Sequence, residues 1–175
     1  MNYYLGLTLM SLLPFFTVKN HKSKIEWNQK ELSFEDFKGE SKYSGEKVKG
    51  EFAGLIKWSY SITNDNPPQY TIYNKMDREK SWISANSEEL ISEYQFMWDL
   101  QELYARKMRK ASEDLNQQNV QDTKVYRDTF NDYVKKLQSE KGRYTGMIYN
   151  QPDFKKILTE QYKDSLELYD KYKLD

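Results

Sequence analysis

Ile56, Trp58, Tyr60 and Ile62 alternate with Lys57, Ser59 and Ser61, whereas from Leu90 onward the apolar residues recur every three or four positions. The first spacing is that of a strand with one buried face, and the second is that of a helix lying on a core. Asn64-Asp65-Asn66-Pro67-Pro68 is a turn sequence, and Tyr70-Thr71-Ile72-Tyr73 resumes the strand pattern, so a hairpin is expected across the two prolines. Ile25 and Trp27 flank Glu26 in a shorter alternating piece. Asn86 and Glu89 have the spacing of a capping box ahead of Leu90. Leu90, Tyr94, Met97, Tyr104 and Met108 then share one helical face, with Trp98 beside it. A second helix carries Tyr126, Phe130, Tyr133, Val134 and Leu137 and is expected to stop near Gly142. A third is expected to start near Pro152 and carries Phe154, Ile157, Leu158, Leu166 and Tyr169. The polar stretch from Glu113 to Lys124 reads as exposed helix or linker. Strands first and helices afterwards predict an α+β class, with an N-terminal antiparallel β-sheet followed by two or three C-terminal helices.

The segment from Tyr3 to Val18 carries no charge and is followed at once by Lys19, Lys22 and Lys24. It is shorter than the ~20 residues that span a bilayer comfortably. Residues 1–22 are therefore read as an export signal or membrane anchor, with a buried first strand or helix as the remaining alternative. Residues 23–175 are read as one domain, and the protein as exported: periplasmic, secreted or membrane-anchored through Tyr3–Val18.

Charge narrows the partners. Lys and Arg number 27 against 27 Asp and Glu, so no net positive field draws nucleic acid or an anionic membrane surface. The run Arg106-Lys107-Met108-Arg109-Lys110 reads as a solvated helix face. With 15 Tyr and 4 Trp, the core is expected to be built from aromatic rings.

Catalytic chemistry is narrowed further. The chain has no cysteine and one histidine, His21, beside the apolar leader. Ser-His-Asp and Cys-His arrangements need an imidazole or a thiol within the domain. Asp and Glu are abundant, but no spacing singles out a glycosidase pair. No cofactor is expected.

Three pieces together resemble one family, the exported bacterial proteins of domain of unknown function 922, regarded as zinc-dependent peptidases. The first is Ile25-Glu26-Trp27 followed by Leu32-Ser33-Phe34-Glu35-Asp36-Phe37-Lys38-Gly39, and the second is Ser81-Trp82. The third is the helix, in which Trp98-Asp99-Leu100, Glu102, Tyr104-Ala105-Arg106 and Met108-Arg109 fit the family's metal-helix pattern without a gap. The resemblance covers residues 25–110 and implies a zincin-like fold for the single domain of residues 23–175, with Asp99, Glu102, Tyr104 and Arg106 as the framework of the helix. It departs where zinc hydrolysis needs two imidazoles one helical turn apart and a carboxylate beside the first. Those positions hold Glu93, Met97 and Tyr94. A further histidine of the family falls loosely near Tyr149 and Asn150.

Tyr94 and Met97 are accordingly expected to face the core. Glu93 is expected to be solvated or to cap a neighbour, and Asp99 and Glu102 to pair with Arg106 or Arg109. The resemblance implies a pseudoenzyme without catalytic residues or metal, a binding or structural protein with a peptide or protein partner. An active hydrolase with an unconventional metal or carboxylate site and a purely architectural membrane-anchored protein are the alternatives.

Overall fold

The computed structural model describes residues 23–27, 31–41, 49–84, 88–150 and 152–174, with side chains except at 146–150 and 152–155. The leader Tyr3–Val18, His21, the capping residue Asn86 and the side chains of Tyr149, Asn150 and Phe154 lie outside that description.

The chain is α+β. Strand β1 (Lys24–Glu26) and a 3-10 turn (Phe34–Asp36) precede β2 (Gly50–Glu51), β3 (Gly54–Ser61), β4 (Gln69–Asp77) and β5 (Trp82–Ile83). Three helices follow: α1 (Glu88–Gln117), α2 (Thr123–Asn150) and α3 (Pro152–Leu168), with a last 3-10 turn at Asp170–Tyr172. Strands β1, β4 and β3 form an antiparallel sheet in that order, and β2 pairs with β5 in a second small ladder.

The expected hairpin is β3–β4, and its register aligns Trp58 with Ile72 and Tyr60 with Tyr70. Cross-strand partners share a face, so Ile56 and Trp58 lie on the same side as the buried Ile72, Asn74 and Met76. That side packs against α1. The buried face ends sooner than the alternation implies: Tyr60 is 54% and Ile62 55% exposed. They sit where β3 runs into the turn, and Tyr60 covers only the ring of Tyr70, 5.0 Å away.

Aromatic rings build much of the core, as the composition suggests. Trp98, Tyr104, Tyr126, Phe130, Tyr144 and Tyr162 are all buried. Tyr126 donates its hydroxyl hydrogen bond to Asn116 Oδ1 at 2.7 Å or to Val120 O at 2.8 Å, at the connection between α1 and α2. A buried phenol keeps a partner in this way while its ring fills the core.

Two expected boundaries move. α1 runs to Gln117, so the polar stretch after Glu113 is helix first and linker second, and the chain turns at Asn119 in the left-handed region (φ 55). α2 does not stop at Gly142 but continues to Asn150. A Cβ at Gly142 would meet nothing within 4 Å. The glycine therefore faces open space, and its ~1 kcal/mol helix penalty is outweighed by burial of Leu137 and Tyr144 on the opposite face.

Gly39 is different. Its N–H donates to Ser81 O at 2.8 Å, and Lys38 N–H to Arg78 O at 2.9 Å, which docks the segment after the 3-10 turn onto the β4–β5 connection. A Cβ there would lie 2.6 Å from Glu79 O, so only glycine permits the approach.

Candidate functional site

Helix α1 carries two different surfaces around its first four turns. On one, Glu93 and Met97 stand four residues apart and Tyr94 lies beside Glu93, so these three residues gather at one cleft. The cleft has a volume of about 340 Å³, and β2 (Gly50, Glu51), Phe52 and the α2 residues Lys141 and Thr145 complete its wall.

Each side chain there has an identifiable setting. Met97 is buried in the cluster with Phe96, Leu100 and Leu137. The Tyr94 ring packs on Phe37 at 5.6 Å and Phe52 at 6.0 Å. Burial first, then the nearby Glu93 and Glu51 carboxylates, push its phenol up to about 12. Glu93 is half-buried at the cleft wall. Tyr94 is thus half-buried rather than fully in the core, while Met97 faces the core as expected.

Lys141 is the residue sequence reasoning missed. Its ammonium donates to Gln101 Oε1 at 2.9 Å; Gln101 Nε2 donates to Asn74 Oδ1 at 2.5 Å, and Asn74 Nδ2 to Trp98 O at 3.2 Å. A buried polar chain from sheet to α1 to α2 therefore fixes the amine, 5.9 Å from the centre of the Phe52 ring. Burial lowers its pKa to about 8. The signal was present: Leu137, Lys141 and Tyr144 fall on one helical face, and the other two are buried.

The sign of the pH effect follows. The amine titrates below its ordinary 10.5, so between about 8 and 10.5 the unfolded chain holds a proton that the folded chain has released. The contribution of Lys141 to stability is least favourable below 8 and improves as pH rises through that window. Urea unfolding at a series of pH values should show this rise in the parent chain and its loss in Lys141→Met, which should also be the more stable protein near neutral pH.

The other surface of α1 holds the expected framework. Trp27 Nε1 donates to Asp99 Oδ1 at 2.7 Å and Gln95 Nε2 to the same oxygen at 2.9 Å. Burial raises the Asp99 pKa, and these two hydrogen bonds oppose it. Asp99 therefore pairs with an indole and an amide, not with Arg106 or Arg109. Glu102 does pair as expected: its Oε1 accepts from Arg106 Nε at 3.2 Å and Arg109 Nη1 at 2.8 Å. Arg106 also donates through Nη1 to Leu166 O at 2.7 Å, and its guanidinium carbon lies 5.2 Å from the centre of the Trp27 ring. Tyr104 is buried, its ring edge-on to Tyr133 at 6.4 Å.

The basic run 106–110 is consequently not a solvated face. Arg106 is 1% exposed because Glu102, α3 and Trp27 close over it, and Met108 is fully buried in the cluster with Ile72, Ala105, Tyr126 and Phe130. A second cavity of about 440 Å³ lies here between α1 and α3, lined by Trp27, Gln95, Asp99, Arg106 and Lys163.

The donor set at the first cleft does not fit zinc. Zinc takes imidazole, thiolate or carboxylate in a closed set. Here two carboxylates, Glu51 and Glu93, stand without an imidazole or thiolate beside a phenol that stays protonated at neutral pH and a thioether, and Lys141 brings an ammonium to the same cleft. Among the described residues no three His, Cys, Asp or Glu side chains converge as a metal site would require. No helix of the described residues is long and apolar enough to cross a membrane.

No protein-family model matches the chain, and neither a curated protein nor a solved structure is significantly similar to it.

Proposed function

We propose that this protein is a non-catalytic, zincin-like relative of the zinc-dependent peptidases of domain of unknown function 922, exported and acting as a binding or structural protein. The observation that carries the reading is the chemistry of the α1 cleft. The positions that hold ligands and base in such a peptidase bear Glu93, Met97 and Tyr94, and Lys141 adds a positive charge beside them. A thioether fills with flexible apolar volume what an imidazole would leave polar.

The pieces of the resemblance are also neighbours in space. Trp27 binds Asp99 and lies over Arg106, Leu32 N–H donates to Gln95 Oε1 at 2.7 Å, and Gly39 docks on Ser81. Residues distant in sequence that hold one another in this way support a shared inherited framework.

The cleft borders β2, which among the described residues pairs with β5 alone. An extended peptide added at the side of β2 away from β5 would exchange backbone hydrogen bonds with it and place side chains over Tyr94 and Met97. Short extended peptides of mixed sequence, titrated into isotopically labelled protein, should shift the amide resonances of Gly50 and Glu51; unchanged resonances would remove the peptide from the proposal. For the non-catalytic reading itself, the full chain incubated with denatured casein should release no peptides, with or without a chelator. Chelator-sensitive release by highly purified protein would overturn it.

A further inference from the structure

The α1 cleft places an amine in surroundings that suit covalent chemistry with a carbonyl. Among the described residues Lys141 has one hydrogen-bond partner: Gln101 Oε1 accepts one of its hydrogens at 2.9 Å, and Gln101 is itself anchored on Asn74. The amine is therefore positioned by a buried chain while its side chain lines an open cleft of about 340 Å³. Phe52, Tyr94 and Met97 supply an apolar and aromatic floor. Three groups that can carry protons face the same space: Glu51 from β2, and Glu93 and Tyr94 from α1.

We infer that Lys141 is a nucleophilic amine that reversibly captures a small, uncharged aldehyde or ketone in this cleft. The nitrogen lone pair forms a bond to the carbonyl carbon, and the carbonyl π pair moves to oxygen, which takes up a proton. The resulting carbinolamine loses that oxygen as water, with both amine hydrogens accounted for in the water released, and a C=N bond remains. Water adds back to reverse the step, so no oxidant or reductant is needed. The phenol of Tyr94 keeps its proton at neutral pH and can donate to the developing oxygen, while Glu51 and Glu93 accept from nitrogen. Desolvation of the amine leaves a substantial part of it neutral near physiological pH, the way buried lysines become nucleophiles. The two carboxylates beside one amine select against anionic carbonyl compounds. The inference goes beyond the non-catalytic reading and does not rest on it, since it uses Lys141 and its neighbours whatever the ancestry of α1.

The test is reductive trapping on the full chain. Benzaldehyde with sodium cyanoborohydride at about pH 7.5, followed by peptide mass mapping over time, measures the labelling rate at each lysine. Lys141 should react at least about tenfold faster than the exposed Lys124 and Lys171, because its lowered pKa raises its neutral fraction while theirs are raised by their side-chain hydrogen-bond partners. Its rate should level off above pH ~8 while theirs keep climbing. Labelling of Lys141 no faster than those surface lysines would overturn the inference. Glyoxylate, an anionic aldehyde, should show a smaller preference for Lys141; a larger one would overturn the assignment of an uncharged ligand. The casein result neither supports nor weakens either outcome.

Discussion

Replacing Glu102 by alanine should lower the unfolding free energy of the full chain by about 3–5 kcal/mol, the usual cost of removing one partner from a buried ion pair. Glu102 is 2% exposed, and its Oε1 is the shared acceptor for Arg106 Nε and Arg109 Nη1. Without it, Arg106 keeps Leu166 O and the exposed Asp170, but its charge stays in the interior without its buried carboxylate. An i,i+4 pair of this spacing on a helix surface is worth only ~0.3–0.5 kcal/mol; burial is what raises the stake. Lys124 and Asp128 provide the control, since they have the same spacing and a 2.5 Å contact but are both exposed. Asp128→Ala should cost far less than Glu102→Ala, because water and salt screen the exposed pair. Urea unfolding followed by tryptophan fluorescence measures both, and a Glu102→Ala loss as small as that of Asp128→Ala would contradict the account of α1.

Phe130→Ala should cost a comparable ~3–5 kcal/mol, here through a cavity rather than a stranded charge. The ring has no exposed surface and meets Trp58 at 5.6 Å, Tyr70 at 5.1 Å and Tyr126 at 6.4 Å, all edge-on. Together with Tyr126, which stacks on Tyr70 at 4.9 Å, it packs α2 on the β3–β4 hairpin, and the three rings around it have little freedom to close into the space. The emission of Trp58 should change with the same mutation. Leu168→Ala, at a residue 83% exposed, should stay within about ±0.5 kcal/mol. Near-equal effects of the two substitutions would show that the aromatic cluster does not hold the sheet to α2.

What could be read from the sequence was what periodicity reports. The β3–β4 hairpin, the three helices and the start of α3 at Pro152 all follow from spacing and turn residues local to each segment. The positions 93, 94 and 97 fall at one cleft because helical spacing alone puts them there. What was not legible depended on partners far along the chain. Arg106 reads as surface until Glu102, Leu166, Asp170 and Trp27 are seen to enclose it. Asp99 reads as an arginine partner until the indole of Trp27, 72 residues earlier, is found on its oxygen. Gly142 reads as a stop because composition does not say which way a glycine faces, and here it faces open space. Lys141 carried a local hint, a lysine on an apolar face, but its anchor is the pair Gln101 and Asn74 on two other elements.

The central proposal is that the α1 cleft carries substitutions at the metal-donor positions of a zinc peptidase and binds no metal. Equilibrium dialysis of the full chain against micromolar zinc, followed by elemental analysis, tests it most directly. The account predicts substoichiometric zinc that is unchanged by Glu93→Ala. One zinc retained per chain, and lost on Glu93→Ala or Met97→Ala, would contradict it.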